Sequence, residues 1–138
     1  MRTRHHLDAS TIRITEPSEA VRVIGDQGEL HTAFSNILEN AVKYSDGDPK
    51  ISIRVKNSTS NRVEVFVRDS GIGIPAPDLK RVFKRFYRVP DSATRTRKGT
   101  GLGLAIVKSI VEKHGGKVRA QSGGLGKGST FWVQLPKK

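Results

Sequence analysis

Two carboxamides and an ammonium group fall on one line of the stretch Asn36-Ile-Leu-Glu-Asn40-Ala-Val-Lys43. A helix turns ~100° per residue, which sets Asn36, Asn40 and Lys43 along an edge next to the side carrying Leu30, Phe34, Ile37 and Ala41. Neutral amide oxygens can ligate Mg²⁺ without cancelling its charge, and a lysine beside them can meet phosphate oxygens. Further on, Asp69 precedes Ser-Gly-Ile-Gly. An acceptor-only carboxylate there can take a hydrogen bond from an amino group such as the exocyclic amine of adenine, or it can simply shape the turn. Lys98-Gly-Thr-Gly-Leu-Gly-Leu104 sits where a loop meets the start of a helix. Exposed amides and the helix dipole favour an anion at such a place.

The chain has 14 glycines, many of them at 71–73, 99–103 and 123–128. Glycine lets the backbone approach a phosphate closely and adopt positive φ, although any one pair also reads as an ordinary turn. A P-loop is excluded, because Gly126-Lys127 is followed by Gly128 where serine or threonine is required. Gly71-Ile-Gly73-Ile-Pro-Ala76 resembles a dinucleotide fingerprint only weakly. Pro75 removes an amide where the phosphate-binding helix would begin, and basic loop follows where a buried parallel strand would be needed.

Those residues need elements to hold them. Thr11 to Glu16 alternates apolar and polar residues as a half-buried strand does, and Val21 to Ile24 reads as a second short strand after Pro17-Ser18. Helical spacing runs from Asp26 to Tyr44, with Asp26 and Glu29 forming a capping box. Ile51 to Val55 and Arg62 to Val67 read as an antiparallel hairpin around a polar loop at Lys56 to Asn61. A short helix is expected around Asp78 to Phe86, then a basic, mobile loop over 87–100, then a helix from Gly101 to Lys113 stopped by Gly115-Gly116. Lys117 to Gln121 and Ser129 to Leu135 complete the strands. This order predicts an α+β fold, a two-layer sandwich with helices packed on one mixed sheet. Residues 1–10 read as a frayed terminus or linker remnant, and 11–138 as one domain.

With 138 residues and no cysteine, the chain can build a core but no disulfide framework or thiolate site. No apolar run is long enough to span a membrane, and the start lacks the apolar stretch of a signal peptide. Lys plus Arg number 25 against 13 Asp plus Glu, a net charge of +12 that favours a polyanionic partner. Much of the excess is local, since Lys80, Arg81, Lys84, Arg85, Arg88, Arg95, Arg97 and Lys98 face only Asp91 in the same stretch.

Taken together, five segments resemble the motifs of the catalytic, ATP-binding domain of bacterial sensor histidine kinases. Asn36 to Tyr44 resembles the N box, Asp69-Ser-Gly-Ile-Gly-Ile the first glycine box, Val82 to Arg88 the F box, and Gly99-Thr-Gly-Leu-Gly-Leu104 the second glycine box. Gly126-Lys-Gly-Ser-Thr-Phe131 is similar to the last glycine-rich element, which includes Thr130. The resemblance implies the ATP-binding sandwich shared with gyrase B, MutL and the large heat-shock chaperone, with a mixed sheet of about five strands under three helices.

It further implies that Mg²⁺ and ATP bind between the N-box helix and a lid from Tyr87 to Thr100. Asn40 would ligate the metal, Asn36 would support its water shell, and Lys43 would meet phosphate. Tyr44 would lie along the adenine pocket, Asp69 would fix the base, and Gly71, Gly73 and Ile74 would shape its surroundings. Arg88 and Lys98 would approach the phosphates, and the loop from Gly99 and Thr100 through Gly101, Leu102, Gly103 and Leu104 would cradle them. Phe83 and Phe86 would anchor the lid, with plain core packing an equal reading for Phe83.

The related ATPases carry a general-base glutamate where this chain has Asn36, which favours phosphoryl transfer to a protein over hydrolysis. None of the four histidines, His5, His6, His31 and His114, stands in an acceptor context. The resemblance therefore implies an acceptor histidine on a separate dimerisation domain and a response regulator downstream. It implies no nucleic acid, no membrane contact by this domain, a monomeric isolated domain and a cytoplasmic setting, whether or not the parent protein is anchored in the inner membrane. Two other readings are an anti-sigma serine kinase of the same fold, which the F box disfavours, and a nucleic-acid-binding module using the basic patch with Phe83, Phe86 and Tyr87.

Overall fold

The computed structural model describes residues 12–15, 22–45, 49–59, 61–87 and 102–137. Five strands form one sheet in the order β1-β2-β3-β5-β4. They are β1 (Ile12–Thr15), β2 (Ile51–Thr59), β3 (Arg62–Asp69), β4 (Lys117–Gln121) and β5 (Ser129–Pro136). β1 pairs parallel with β2, and the other pairings are antiparallel, so the sheet is mixed as expected. Helices α1 (Gln27–Lys43) and α2 (Gly103–Lys113) pack on one face. The core lies between the layers, with Ile37, Val67, Val107, Val111, Phe131 and Val133 fully buried.

The period of the sequence accounts for these elements. In β5, Ser129, Phe131, Val133 and Leu135 are buried while the residues between them are half-exposed, the alternation of a strand with one covered face. In α1, Ala33, Ile37, Leu38 and Ala41 form the buried stripe. Asp26 caps α1, its Oδ1 accepting the Glu29 N–H at 2.8 Å. The other half of the capping box is not made. Glu29 reaches instead to Lys113 of α2 at 2.8 Å, and the Asp26 N–H donates to His114 Nε2 at 3.0 Å. His114 Nδ1 lies 2.8 Å from the Ile110 carbonyl, so that nitrogen carries the proton and Nε2 is free to accept. The last turn of α2 closes with Gly116 N–H to Val111 O and Gly115 N–H to Glu112 O, Gly115 at φ 77°.

Several boundaries differ from the sequence reading. Residues 22–24 form no strand: only an isolated bridge joins Val23 to Lys137. Lys56 and Asn57, assigned above to a loop, extend β2 opposite Glu64 and Val63, with an irregularity between Asn57 and Thr59 that absorbs the polar run. Asp78 to Phe86 is not one helix but two 3₁₀ turns, Ala76–Asp78 and Arg81–Phe83. Lys84 at ψ 145° is already extended, and Phe86 at φ 64° cannot extend a right-handed helix. α2 begins at Gly103. On the edge strand, Ile14 is 57% exposed.

Candidate functional site

The site is built where β3 ends. Asp69 closes that strand, points to the helix layer and is only 6% exposed. Its Oδ1 accepts the Gly71 N–H at 2.9 Å and the Ser129 N–H at 3.3 Å, and its Oδ2 accepts the Ser129 hydroxyl at 2.9 Å. A carboxylate offers about four acceptor positions, so one on Oδ2 is left over. Burial pushes the Asp69 carboxyl above its ordinary range, against the downward pull of the hydrogen bonds from Gly71 and Ser129.

Three backbone segments are laid tightly around this carboxylate. The Tyr44 carbonyl, at the end of α1, accepts the Ile72 N–H at 3.0 Å. A methyl group on Gly71 would overlap that same carbonyl oxygen. Gly73 has φ 80°, and a methyl group on it would overlap the carbonyl of Gly124. Loop 122–128 is in turn fastened to the first glycine loop by Gly126 N–H to Ile72 O at 2.8 Å and Gly128 N–H to Gly71 O at 3.1 Å.

Ser122 ties these segments together. Its hydroxyl oxygen accepts from the N–H groups of Ile74 at 3.0 Å and Gly124 at 3.1 Å, and donates to the Gly128 carbonyl at 2.6 Å. Neither Ser122 nor Ser129 was among the residues expected from the sequence. Thr130 was, but β5 alternation turns it to the opposite sheet face, across from Arg68, and Ser129 is the residue that meets Asp69.

The N-box residues lie at the other side of the same region. Asn36 Nδ2 donates to the Gly103 carbonyl at 3.3 Å, which joins α1 to the first turn of α2. Asn36 and Asn40 are half-buried, and Lys43 is exposed with Nζ 5.7 Å from the Tyr44 ring centroid. Ile74 is buried, Leu102 and Leu104 are half-buried, and Gly103 is exposed, with no described residue within 4 Å of an added methyl group. The structure thus brings Asn36 to Gly103, and Tyr44 to the Asp69–Ile74 loop. Arg88, Lys98, Gly99, Thr100 and Gly101 lie outside the described residues, as does the lid beyond Tyr87.

The two lid anchors part company. Phe83 is buried edge-on against Phe131 with ring centroids 6.1 Å apart, which makes it a core residue. Phe86 is 70% exposed and anchors nothing among the described residues. Tyr87 is held instead, its hydroxyl donating to the buried Asp78 carboxylate, and that hydrogen bond pushes the phenol above its ordinary range.

A carboxylate in a glycine-lined recess, beside a helix edge of carboxamides, can be compared with known proteins. The sequence profile of the histidine kinase-, DNA gyrase B- and HSP90-like ATPases matches residues 25–138. The chain belongs to this family. It is 42% identical over 136 residues to the sensor protein kinase WalK of Staphylococcus saprophyticus subsp. saprophyticus, covering 96% of this chain and 22% of that protein. It is also 42% identical over 137 residues to the sensor-like histidine kinase SenX3 of Mycolicibacterium smegmatis, covering 97% of this chain and 35% of that one. The chain therefore spans between a fifth and about a third of these relatives.

Among solved structures, the mycobacterial sensor histidine kinase MprB superposes with TM-score 0.79 at 33% identity, over 94% of this chain and 84% of that one. Full-length ShkA in complex with AMPPNP superposes with TM-score 0.75 at 29% identity, over 93% of this chain and 26% of that one. The fold is that of a histidine kinase catalytic domain, and the chain is homologous to sensor histidine kinases. No helix among the described residues is long and apolar enough to cross a membrane.

Proposed function

We propose that this domain binds Mg-ATP and donates the γ-phosphoryl group to a histidine on the dimerisation domain of its parent sensor kinase, from which a response regulator receives it. The observation that carries the nucleotide reading is Asp69. Its protein donors occupy one oxygen twice and the other once, and the remaining acceptor position on Oδ2 suits the exocyclic amine of adenine. Tyr44, Gly71, Gly73 and Ile74 surround the base, while Asn36, Asn40 and Lys43 address the phosphates from the helix edge. The amides of Leu102, Gly103 and Leu104 offer anion-binding donors at the α2 N-terminus, with Arg88, Lys98, Gly99, Thr100 and Gly101 supplying the rest.

Among the described residues no cluster of histidines and carboxylates could hold a metal ion. The donors at hand are carboxamides, which fit a Mg²⁺ bound largely through phosphate oxygens and water, with Asn40 as the protein ligand. When bound, the ion neutralises charge on the phosphates. Asn36 supplies no base to activate water, which favours a protein acceptor over hydrolysis.

Thermal unfolding with Mg-ATP and Mg-GTP tests the binding. ATP at ~100 times its dissociation constant adds about 2.7 kcal/mol of stability. Asp69→Asn presents an amide donor where adenine also donates, so it should shift preference from ATP toward GTP. A melting temperature unmoved by millimolar Mg-ATP would reject the reading. Asn40→Ala should weaken Mg-ATP binding much more than metal-free ADP binding, and equal losses would reject its metal role. For transfer, γ-labelled ATP should leave this chain unlabelled and label an added dimerisation domain carrying the acceptor histidine. Base-stable, acid-labile label on this chain alone would place the acceptor at His31 or His114.

A further inference from the structure

Helices cover one face of the sheet; the other carries an unusual concentration of cations. One cross-strand row runs Arg54, Phe66, Trp132, Arg119, fixed by the pairings of β2 with β3, β3 with β5 and β4 with β5. Arg68, Lys56 and Lys117 stand in the neighbouring rows. All five basic residues are exposed, and none makes an ion pair among the described residues. Glu64 is the one described carboxylate on this face, opposite Lys56, and it accepts the Trp132 indole N–H at 2.6 Å. Among the described residues the face therefore holds five exposed cations around two half-buried rings with one committed anion, and a sixth, half-buried Arg62, stands at its end with its guanidinium donating to the Gly115 carbonyl.

The rings decide what kind of polyanion this suits. Trp132 is half-buried, with the Arg119 guanidinium 5.3 Å from its ring centroid. Phe66 is half-buried beside it. Both rings are half-buried and the Arg119 guanidinium lies over Trp132, which leaves less ring surface for stacking on nucleic-acid bases or for entering a bilayer than the surrounding cations offer to carboxylates. What remains is a broad surface of three guanidinium forks and two ammonium groups over a low apolar centre. Guanidinium forks match carboxylates in a bidentate geometry, and the polar Ser52, Thr130 and Gln134 between them can take directional hydrogen bonds.

We propose that this open sheet face is a docking surface for an acidic protein segment, one in which carboxylates flank a small apolar patch. Its charge is complementary to such a partner, and it lies on the side of the sheet away from Asp69, so it can be occupied without competing for the nucleotide site.

A short Glu-rich peptide with a central Leu, labelled at one end, serves as the probe, titrated by fluorescence anisotropy at low and moderate salt. Binding should weaken with salt. The Arg54→Gln, Arg68→Gln variant should bind about tenfold more weakly, since two exposed ion pairs are lost. Lys80→Gln with Lys84→Gln removes the same charge elsewhere and should change binding by less than about twofold. Arg119→Gln gives an independent variant, with a melting curve to show that it folds. Equal losses for the two double variants would mean that the peptide reads net charge alone, and would overturn the proposal. So would tighter binding, abolished by Arg54→Gln and Arg68→Gln, of phosphatidylglycerol vesicles or oligothymidylate. The Mg-ATP shift in melting temperature should be the same in all these variants, which separates this surface from the nucleotide reading.

Discussion

The two glycine regions that bound the site are glycine-rich for opposite reasons. In the first, Gly71 and Gly73 are buried, and a methyl group on either would strike a backbone carbonyl of Tyr44 or Gly124. Those glycines are demanded by the protein's own packing. At the start of α2, Gly103 is exposed and an added methyl group would meet nothing among the described residues. No described contact requires a glycine there, although glycine is among the poorest residues for a helix. One region is finished by the fold, and in the other no described residue fills the space beside Gly103. α2 repeats the contrast end to end: its C-terminal end is fastened to α1 through His114–Asp26 and Lys113–Glu29, while its N-terminal end meets α1 through the 3.3 Å contact of Asn36 with Gly103.

Gly73→Ala should have the largest effect on stability. It forces a residue with a Cβ to φ 80° and drives a methyl group into the Gly124 carbonyl. Left-handed strain of ~1–2 kcal/mol and overpacking of ~1–3 kcal/mol together predict a loss of about 2–5 kcal/mol in chemical denaturation. A loss below about 1 kcal/mol would mean that loop 122–128 moves aside easily, and that the first region is no more finished than the second.

His114→Ala comes next. It removes the acceptor of the Asp26 N–H and the partner of the Ile110 carbonyl, worth about 1–2 kcal/mol together. His114→Gln, which can still offer an oxygen toward Asp26, should recover part of the loss. If both variants melt like the wild type, the fastened end of α2 is no better held than its open end.

Asp69 sharpens the first region through pH. Its carboxyl is raised above the ordinary value of 3.8, chiefly by burial, so ionisation is harder in the folded protein than in the unfolded chain. The stability it contributes is complete below that ordinary value and is lost as pH rises through the raised one. The advantage of wild type over Asp69→Asn in denaturant midpoint should therefore fall as pH increases from about 4, then level off once the group is fully ionised. A difference independent of pH would mean that the internal donors offset the desolvation completely.

The sequence carried the first region's chemistry more clearly than its construction. Asp69 and the glycines after it stand out as residue types, and α1 announces itself by period and cap. Ser122 does not, because its role depends on loop 122–128 folding onto Gly71–Ile74, a contact between segments far apart in the chain. That Ser129 and not Thr130 meets Asp69 is a matter of strand phase. A shift of one residue turns a side chain to the other face, and a glycine turn gives no marker of where β5 starts counting. The strand expected at Val21 to Ile24 failed for a related reason, since Val23 makes a single bridge to Lys137 and apolar residues alone do not create a ladder. At Asp78 to Phe86 the spacing of Leu79, Val82 and Phe83 is helical, but Lys84 at ψ 145° and Phe86 at φ 64° leave the helical region, and only two 3₁₀ turns form.

Gly103→Ala should have the smallest effect on stability and is the most discriminating test. Helix propensity alone favours alanine by up to about 1 kcal/mol, and no described residue within 4 Å opposes the methyl group, so the melting temperature of the free protein should hold or rise slightly. If this turn approaches phosphates through its amides, the same methyl group stands between the backbone and the anion. Mg-ATP affinity should then fall while adenosine affinity stays unchanged, because the proposed function assigns the base to Asp69 and not to this turn. An unchanged Mg-ATP affinity in Gly103→Ala would make this glycine an accident of sequence. A loss of stability in the free protein would instead show that the open space is filled by a part of the chain, and the contrast between the two glycine regions would collapse.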